Sequence, residues 1–426
     1  MKNHLQKDDL YFVHGFYMSD YAERREDTLS QFREHRNEIN RNHMVLMQDS
    51  FDNMFNIQAF DIDAHEFNSD RLISSGDYVR FDGERLIHAT EDTTATLFET
   101  LNKYLITTIN TANNDNRPYE SKEKVKECFS YHINVGHGNC SIVVLSTDEK
   151  SEMWMVDCSV YDFTEGEFHK DSLDSCMEYI KSKYNISFIS KLLITHLHYD
   201  HINGIEYLIE KKWINYGTEV WMNTQYPWKQ PTYNRILLKL SALGVRFIDP
   251  IMSNSTREIK VLYPAKSYNS KNHAPGNNIN NSSVLYQICI NGKSMLFTGD
   301  IETEGWNLVS TCFPHLRKTT YLCISHHGSL TGFIREKCPQ YCGLPCPITE
   351  SISFCASKSR VQILMGRNNA YTGIYNSDVI SAFNNVVQTE DANSFIELSW
   401  QTDTYLKDSI TKKSDQSDSP IIRRVK

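Results

Sequence analysis

No stretch of this 426-residue chain approaches the roughly 18 consecutive apolar residues that a membrane-spanning helix requires. The opening residues, Met1-Lys2-Asn3-His4-Leu5-Gln6-Lys7, also lack the apolar core of a secretory signal. A basic excess is missing too: 44 Lys and Arg face 53 Asp and Glu, a formal charge of −9. Proteins that grip long nucleic acid by counterion release usually carry a basic face, so the balance weighs against that class while leaving a local patch open. The 11 cysteines are odd in number and scattered. Cys338, Cys342, Cys346 and Cys355 form a group, yet without the close Cys-x-x-Cys pairs that structural zinc sites favour, and they read as reduced, structural thiols. These absences point to a cytoplasmic protein with no membrane span.

The length suits two or three domains. Residues 1–125 read as an accessory region. Within it, Asp20 to Met47 is expected to be a surface helix, Tyr78 to Phe81 a short strand, and Asp92 to Ile109 a helix with Leu97, Leu101, Leu105 and Ile109 as its apolar markers. The histidines of this region, His14, His35, His43, His65 and His88, are expected at the surface. Asn113-Asn114-Asp115-Asn116-Arg117-Pro118 is a breaker suited to a domain boundary. From Phe129 onward, short β runs alternate with turns and helices, which implies layered sheets covered by helices over residues 126–406. Residues 407–426 read as a disordered tail.

The second region is organised around Leu192-Leu193-Ile194-Thr195-His196-Leu197-His198-Tyr199-Asp200-His201. An apolar β-type run stops there in three histidines and an aspartate, the ligand types of zinc or a similar borderline divalent ion. A strand end turning into a helix aims His196 and His198 at one ion, and Asp200 and His201 at a second beside it. A hydroxide held between two such ions is a nucleophile at neutral pH.

This stretch resembles the HxHxDH signature of the metallo-β-lactamase fold superfamily. The remaining signature elements follow in the order that family uses: Asp157 after Trp154-Met155-Val156, Asp300 after Phe297-Thr298-Gly299, and Ser325-His326-His327-Gly328-Ser329 near the end. The resemblance implies an α/β fold, an αββα sandwich. Over residues 129–400 the chain is also similar to one branch, the ComEC-type competence domain, through Asn134 to Cys140, Asn280 to Leu285, His326 to Ser329 and Gly366 to Tyr371. It departs from that branch at His198, in the Thr-Gly-Ile-Tyr after Tyr371, and in having no channel helices.

On this resemblance, His196 and His198 hold the first ion, Asp200, His201 and His327 the second, and Asp300 bridges both. The ions are zinc, with manganese tolerated. The third ligand of the first ion is open: the family places a His roughly twenty residues before the bridging Asp, where this chain has Asn280 and Asn281, and His273 is the alternative. An amide oxygen is a poorer zinc ligand than imidazole. Asp157 is expected to orient a ligand, and His137 to look into the site from its Gly-rich turn. Asp200 and Asp300 carry catalysis with His326, which protonates a leaving oxygen or contacts phosphate. Arg367, Asn369 and Tyr371 are the candidate substrate contacts.

The leading expectation is a metal-dependent phosphodiesterase or nuclease, with a phosphodiester or nucleic-acid substrate. One alternative is hydrolysis of a small ester, lactone, thioester or amide. Another is a metal-stabilised interaction module that binds a protein partner through its N-terminal region.

Overall fold

A computed structural model of the chain describes residues 5–17, 43–49, 57–63, 67–69, 73–112, 117–120, 123–312, 319–333, 360–368, 370, 373–381, 383–407 and 422–424. The chain divides into two compact units. The first comprises Met1–Ala112, Pro227–Ser241 and Asn369–Gly373; the second comprises Asn113–Tyr226, Ala242–Asn368 and Ile374–Lys426.

The first unit holds a six-stranded sheet formed by β1 (Leu10–Tyr17), β2 (His43–Asp49), β3 (Ile57–Asp63), β4 (Asn68–Ser69), β5 (Tyr78–Phe81) and β6 (Arg85–His88), in the order β3-β2-β1-β5-β6-β4. Alternation sorts its side chains by face. Tyr11, Val13, Met44, Leu46, Val79 and Phe81 form one core, while Phe12 meets Trp228 at 4.8 Å and Tyr78 stacks on Phe98 at 5.9 Å. The helix expected over Asp20 to Met47 is corrected at its end. Met44 to Met47 are buried in β2 between β1 and β3, because this apolar run satisfies two neighbouring strands at once. Residues 20–42 lie outside the described residues.

Helix α1 (Thr93–Ala112) starts where the Asp92 carboxylate accepts the backbone N–H groups of Thr94 and Ala95. Its buried stripe is Ala95, Phe98, Asn102, Leu105 and Ile109, whereas Leu97 is 61% exposed. A strict four-residue repeat drifts around a helix of 3.6 residues per turn, so Leu97 leaves the face that Leu105 and Ile109 occupy. Asn102 donates to Asn234 Oδ1 at 2.7 Å and to the Trp228 carbonyl at 2.9 Å, tying α1 to the helix Pro231–Ala242 of the same unit. The surface expectation fails for two histidines of the region: His14 is buried, and His88 is covered and paired with Asp77.

The second unit contains two larger sheets. The strands in chain order are β7 (Glu127–Ile133), β8 (Cys140–Ser146), β9 (Ser151–Cys158), β10 (Tyr161–Asp162), β11 (Glu167–Phe168), β12 (Lys191–Leu193), β13 (Glu219–Trp221), β14 (Arg246–Ile248), β15 (Ile259–Tyr263), β16 (Leu285–Ile290), β17 (Lys293–Phe297), β18 (Tyr321–Cys323), β19 (Val361–Leu364), β20 (Val386–Gln388), β21 (Phe395–Ser399), β22 (Thr404–Lys407) and β23 (Ile422–Arg424). One sheet runs β14-β13-β12-β9-β8-β7-β21-β22-β23 and the other β15-β16-β17-β18-β19-β20, with β10 and β11 as a separate pair. Ile422–Arg424, expected to be disordered with the rest of the tail, pairs along the open edge of β22.

Val143, Trp154, Val156, Leu193 and Trp221 from the nine-stranded sheet share one core with Val261, Tyr286, Phe297, Cys323 and Ile363 from the six-stranded sheet. Helix α2 (Lys170–Tyr184) covers the other face of the first sheet through Leu173, Cys176, Met177 and Ile180. Two packed sheets with a helix on the outer face of the nine-stranded one agree with the expected αββα layering. With both faces covered, β8 and β12 are buried at successive positions rather than alternate ones. Strands β9, β12 and β13 are parallel, so their ends lie side by side and their following loops gather at one end. No described helix is long and apolar enough to cross a membrane.

Candidate metal centre

Strand β12 continues through Ile194, whose N–H donates to the Trp221 carbonyl, and the chain leaves the sheet at Thr195. The neighbouring β9 leaves one strand over at Asp157, whose φ of 54° lies in the left-handed region. Its carboxylate accepts the Thr195 N–H and the Thr195 hydroxyl, both at 2.7 Å, and lies 2.8 Å from His201 Nδ1. Asp157 therefore joins two strand ends and sets the His201 tautomer, with Nδ1 carrying the proton and the Nε2 lone pair facing the site.

His327 is set in the same way. Its Nδ1 lies 3.1 Å from the Met365 carbonyl, which only accepts, so Nε2 is left for the site. Gly366, next along, is required by this packing, because a Cβ there would lie 2.7 Å from His327 Nδ1. His326 and His327 both take left-handed φ near 50°, a conformation that costs a non-glycine residue on the order of 1 kcal/mol.

Asp300 follows β17 and is fixed by its N–H donating to Ser283 Oγ at 3.0 Å. Its carboxylate stands 3.3 Å from His201 Nε2, 3.5 Å from His327 Nε2 and 4.0 Å from His196 Nε2. Asp200, in the short helix after His198, lies 3.2 Å from His327 Nε2 and 3.8 Å from His201 Nε2. The ligand atoms of Asp200, His201, Asp300 and His327 fall within 4.8 Å of one another, as do those of His196, His198 and Asp300. Asp300 belongs to both groups, and all six residues are buried.

The donor chemistry fits a cation. Two imidazoles whose Nδ1 protons are already committed present only lone pairs, and they face carboxylate oxygens that present only lone pairs. His201 Nε2 and Asp300 Oδ1 are buried without a hydrogen-bond partner among the described residues, although they lie 3.3 Å apart. Without an ion the cluster instead holds protons. Burial pulls His327 and His201 down, but the carboxylates more than reverse this, carrying His327 to about 10 and His201 well above its usual value. Burial would raise Asp200 and Asp300, yet the facing His201 and His327 hold both well below the usual carboxylate range. A divalent ion would take the place of these protons.

Other sequence-derived candidates fall around this core. His137 is buried with its ring 4.4 Å from that of His327 and its Nε2 3.5 Å from Asp200 Oδ2; burial and His327 push it down to about 3. His326 is less covered, its side chain 20% exposed, with Nδ1 3.1 Å from Thr331 Oγ1 and 3.5 Å from Glu302. Two candidates are displaced from direct ligation. His273 is exposed on its loop. Asn281 is buried, but its Oδ1 accepts the N–H groups of Glu302 and Gly305, so it starts the helix α3 (Thr303–Cys312). Arg367 donates to Asp162 and Thr164 and pairs with Glu165, so carboxylates of its own chain already occupy its guanidinium. Asn369 and Tyr371, and the cysteines from Cys338 to Cys355, lie outside the described residues. Sequence reasoning missed Thr195 as the bridge to Asp157, Ser283 as the anchor of Asp300, and Glu302 behind His326. Thr195 stands inside the motif, and Glu302 two residues past Asp300, which is the signal each offered.

Comparison with known proteins follows the same lines. Residues 133–220 match the model of the metallo-beta-lactamase superfamily. Ribonuclease Z of Prochlorococcus marinus (strain NATL1A) is 28% identical over 152 residues, 35% of this chain and 36% of that protein, and the enzyme of strain NATL2A matches equally. The match thus spans about a third of the length of these curated relatives. Among solved structures, that of a new diphosphatase from the PhnP family aligns at 12% identity and a TM-score of 0.28, covering 55% of this chain and 85% of that one. Residues 133–220 thus match a metallo-β-lactamase superfamily domain, and the layered sheets and ordered donors are consistent with that fold.

Proposed function

We propose that this chain is a metal-dependent phosphodiesterase or nuclease whose two ions are held by His196, His198 and Asp300 and by Asp200, His201, Asp300 and His327. The observation that carries the reading is the sharing of Asp300 between two buried donor groups. Two ions held there would supply an activated water and charge stabilisation for hydrolysis of a phosphodiester. The similarity to ribonuclease Z over part of the chain supports this substrate class above a carboxylic ester.

The chain's own residues divide the work. Asp157 and the Met365 carbonyl hold His201 and His327 in the tautomers that face the ions. Asp200 draws His327 and His137 together. His326, more accessible than the buried His196 and His201, is the proton donor to the leaving oxygen, its Nδ1 steadied by Thr331 and Glu302. The likeness to the ComEC-type branch rests on its motifs alone, and a protein partner of the first unit on nothing further.

The test is to assay one metal-loaded preparation on bis(p-nitrophenyl) phosphate, single-stranded DNA, RNA and p-nitrophenyl acetate. Phosphodiester turnover that Asp300→Ala abolishes supports the reading. Activity confined to the acetate would move it to ester hydrolysis, and full metal with no phosphodiester turnover would refute it.

A further inference from the structure

We infer that the side-chain oxygen of Asn280 is the missing protein donor to the ion at His196, His198 and Asp300, and that this position accepts a harder ion, manganese, beside a zinc-type second position. The inference rests on the two-ion reading above and deepens it.

The two donor groups are unequal. The second offers four ligand atoms and the first three. Asn281 cannot fill the gap because its oxygen already accepts two backbone N–H groups, and His273 is exposed. Asn280 is different. Its side chain is buried, 7% exposed, and its Nδ2 donates to Glu302 Oε1 at 2.9 Å. This bond fixes the amide, since a carbonyl oxygen turned towards a carboxylate would be repelled. The oxygen therefore faces away from Glu302, and there it is buried without a hydrogen-bond partner among the described residues. A buried carbonyl left unsatisfied is destabilising, and a cation would satisfy it.

The backbone ties this residue to the segments that carry the donor group. Asn280 opens a 3₁₀ turn, Asn280–Ser282. Ser283 immediately after it accepts the Asp300 N–H, and the N–H of Val284 donates at 2.8 Å to the carbonyl of Thr195, the residue before His196. Asn280 Nδ2 also lies 3.5 Å from His326 Nε2. The turn is thus bonded to the segments that carry Asp300 and His196, with His326 close by. With an amide in place of an imidazole, the first group has two nitrogen and two oxygen donors, and oxygen donors favour manganese relative to an all-imidazole set.

The experiment compares the full-length wild type, Asn280→Ala and Asn280→His, loaded with zinc or with manganese. Metal content is read by elemental analysis and affinity by competition with a chromogenic chelator. Asn280→Ala should keep the tighter ion and bind the weaker one about tenfold or more less tightly. Asn280→His should bind zinc at that position at least about tenfold more tightly and lose its tolerance of manganese. Two ions in Asn280→Ala at wild-type affinity would overturn the inference while leaving the two-ion reading intact. Loss of both ions from Asn280→Ala with unchanged zinc affinity in Asn280→His would overturn it as well. A wild type that binds neither metal would instead remove the two-ion reading itself.

Discussion

His201 and Asp157 meet at 2.8 Å between Nδ1 and a carboxylate oxygen, although 44 residues separate them. The same carboxylate holds Thr195, so one buried acid fixes both the strand end and the imidazole that follows it. Asp157→Asn should keep the fold and weaken metal binding at the second position about 10- to 100-fold, because the amide orients His201 less firmly and adds no basicity. Chelator competition checks this; unchanged affinity would mean that Asp157 serves the turn alone.

Gly366 gives a second handle on the same candidate metal position. A methyl group there meets His327 Nδ1 at 2.7 Å, and φ of 104° disfavours any side chain. Gly366→Ala should displace His327 and cost about one metal equivalent while sparing the first position, read by elemental analysis. Retention of both ions would show that His327 moves with its loop and still reaches the centre.

Acid stability has a source away from the candidate metal centre. His132 is buried between Ser141 Oγ at 2.9 Å and Ser130 Oγ at 3.2 Å, and burial lowers its pKa to about 3. Folded, it binds fewer protons than the unfolded chain. Its contribution is therefore complete above pH 6.5 and is lost as pH falls from there towards 3, on the order of 4 kcal/mol in all. In chelator-treated protein, the stability of the wild type relative to His132→Gln should shrink across that window in urea titrations. A constant difference would contradict the assignment.

The first unit bears on where the chain can be cut. Trp228 and the helix Pro231–Ala242 pack on β1 and α1, through Phe12 on Trp228 and Asn102 on Asn234. Deleting residues 1–112 removes these partners of Trp228 and Asn234, so the remainder should aggregate or melt at a lower temperature. A monomeric remainder with unchanged melting would show that the segment 227–241 folds without its partners.

The sandwich was legible because its buried strands are apolar runs closed by turn residues, as at Leu192–Thr195, and because the candidate ligands cluster in His196–His201. Three kinds of information were not. Met44 to Met47 carry the same residue types whether in a helix or in a strand between two others, and tertiary pairing decided for the strand. The Met365 carbonyl that sets His327 is backbone and leaves no mark in the residue type. Arg367 has the chemistry of a phosphate contact, but Asp162 and Glu165 reach it across about 200 residues.

The central claim is that Asp300 is shared by both ions, and metal stoichiometry tests it most directly. Elemental analysis of the wild type, His198→Ala and Asp300→Ala at neutral pH should give about two equivalents, about one, and a loss from both positions respectively. Equal losses in the two variants would contradict the sharing of Asp300, and a metal-free wild type would contradict the metal centre altogether.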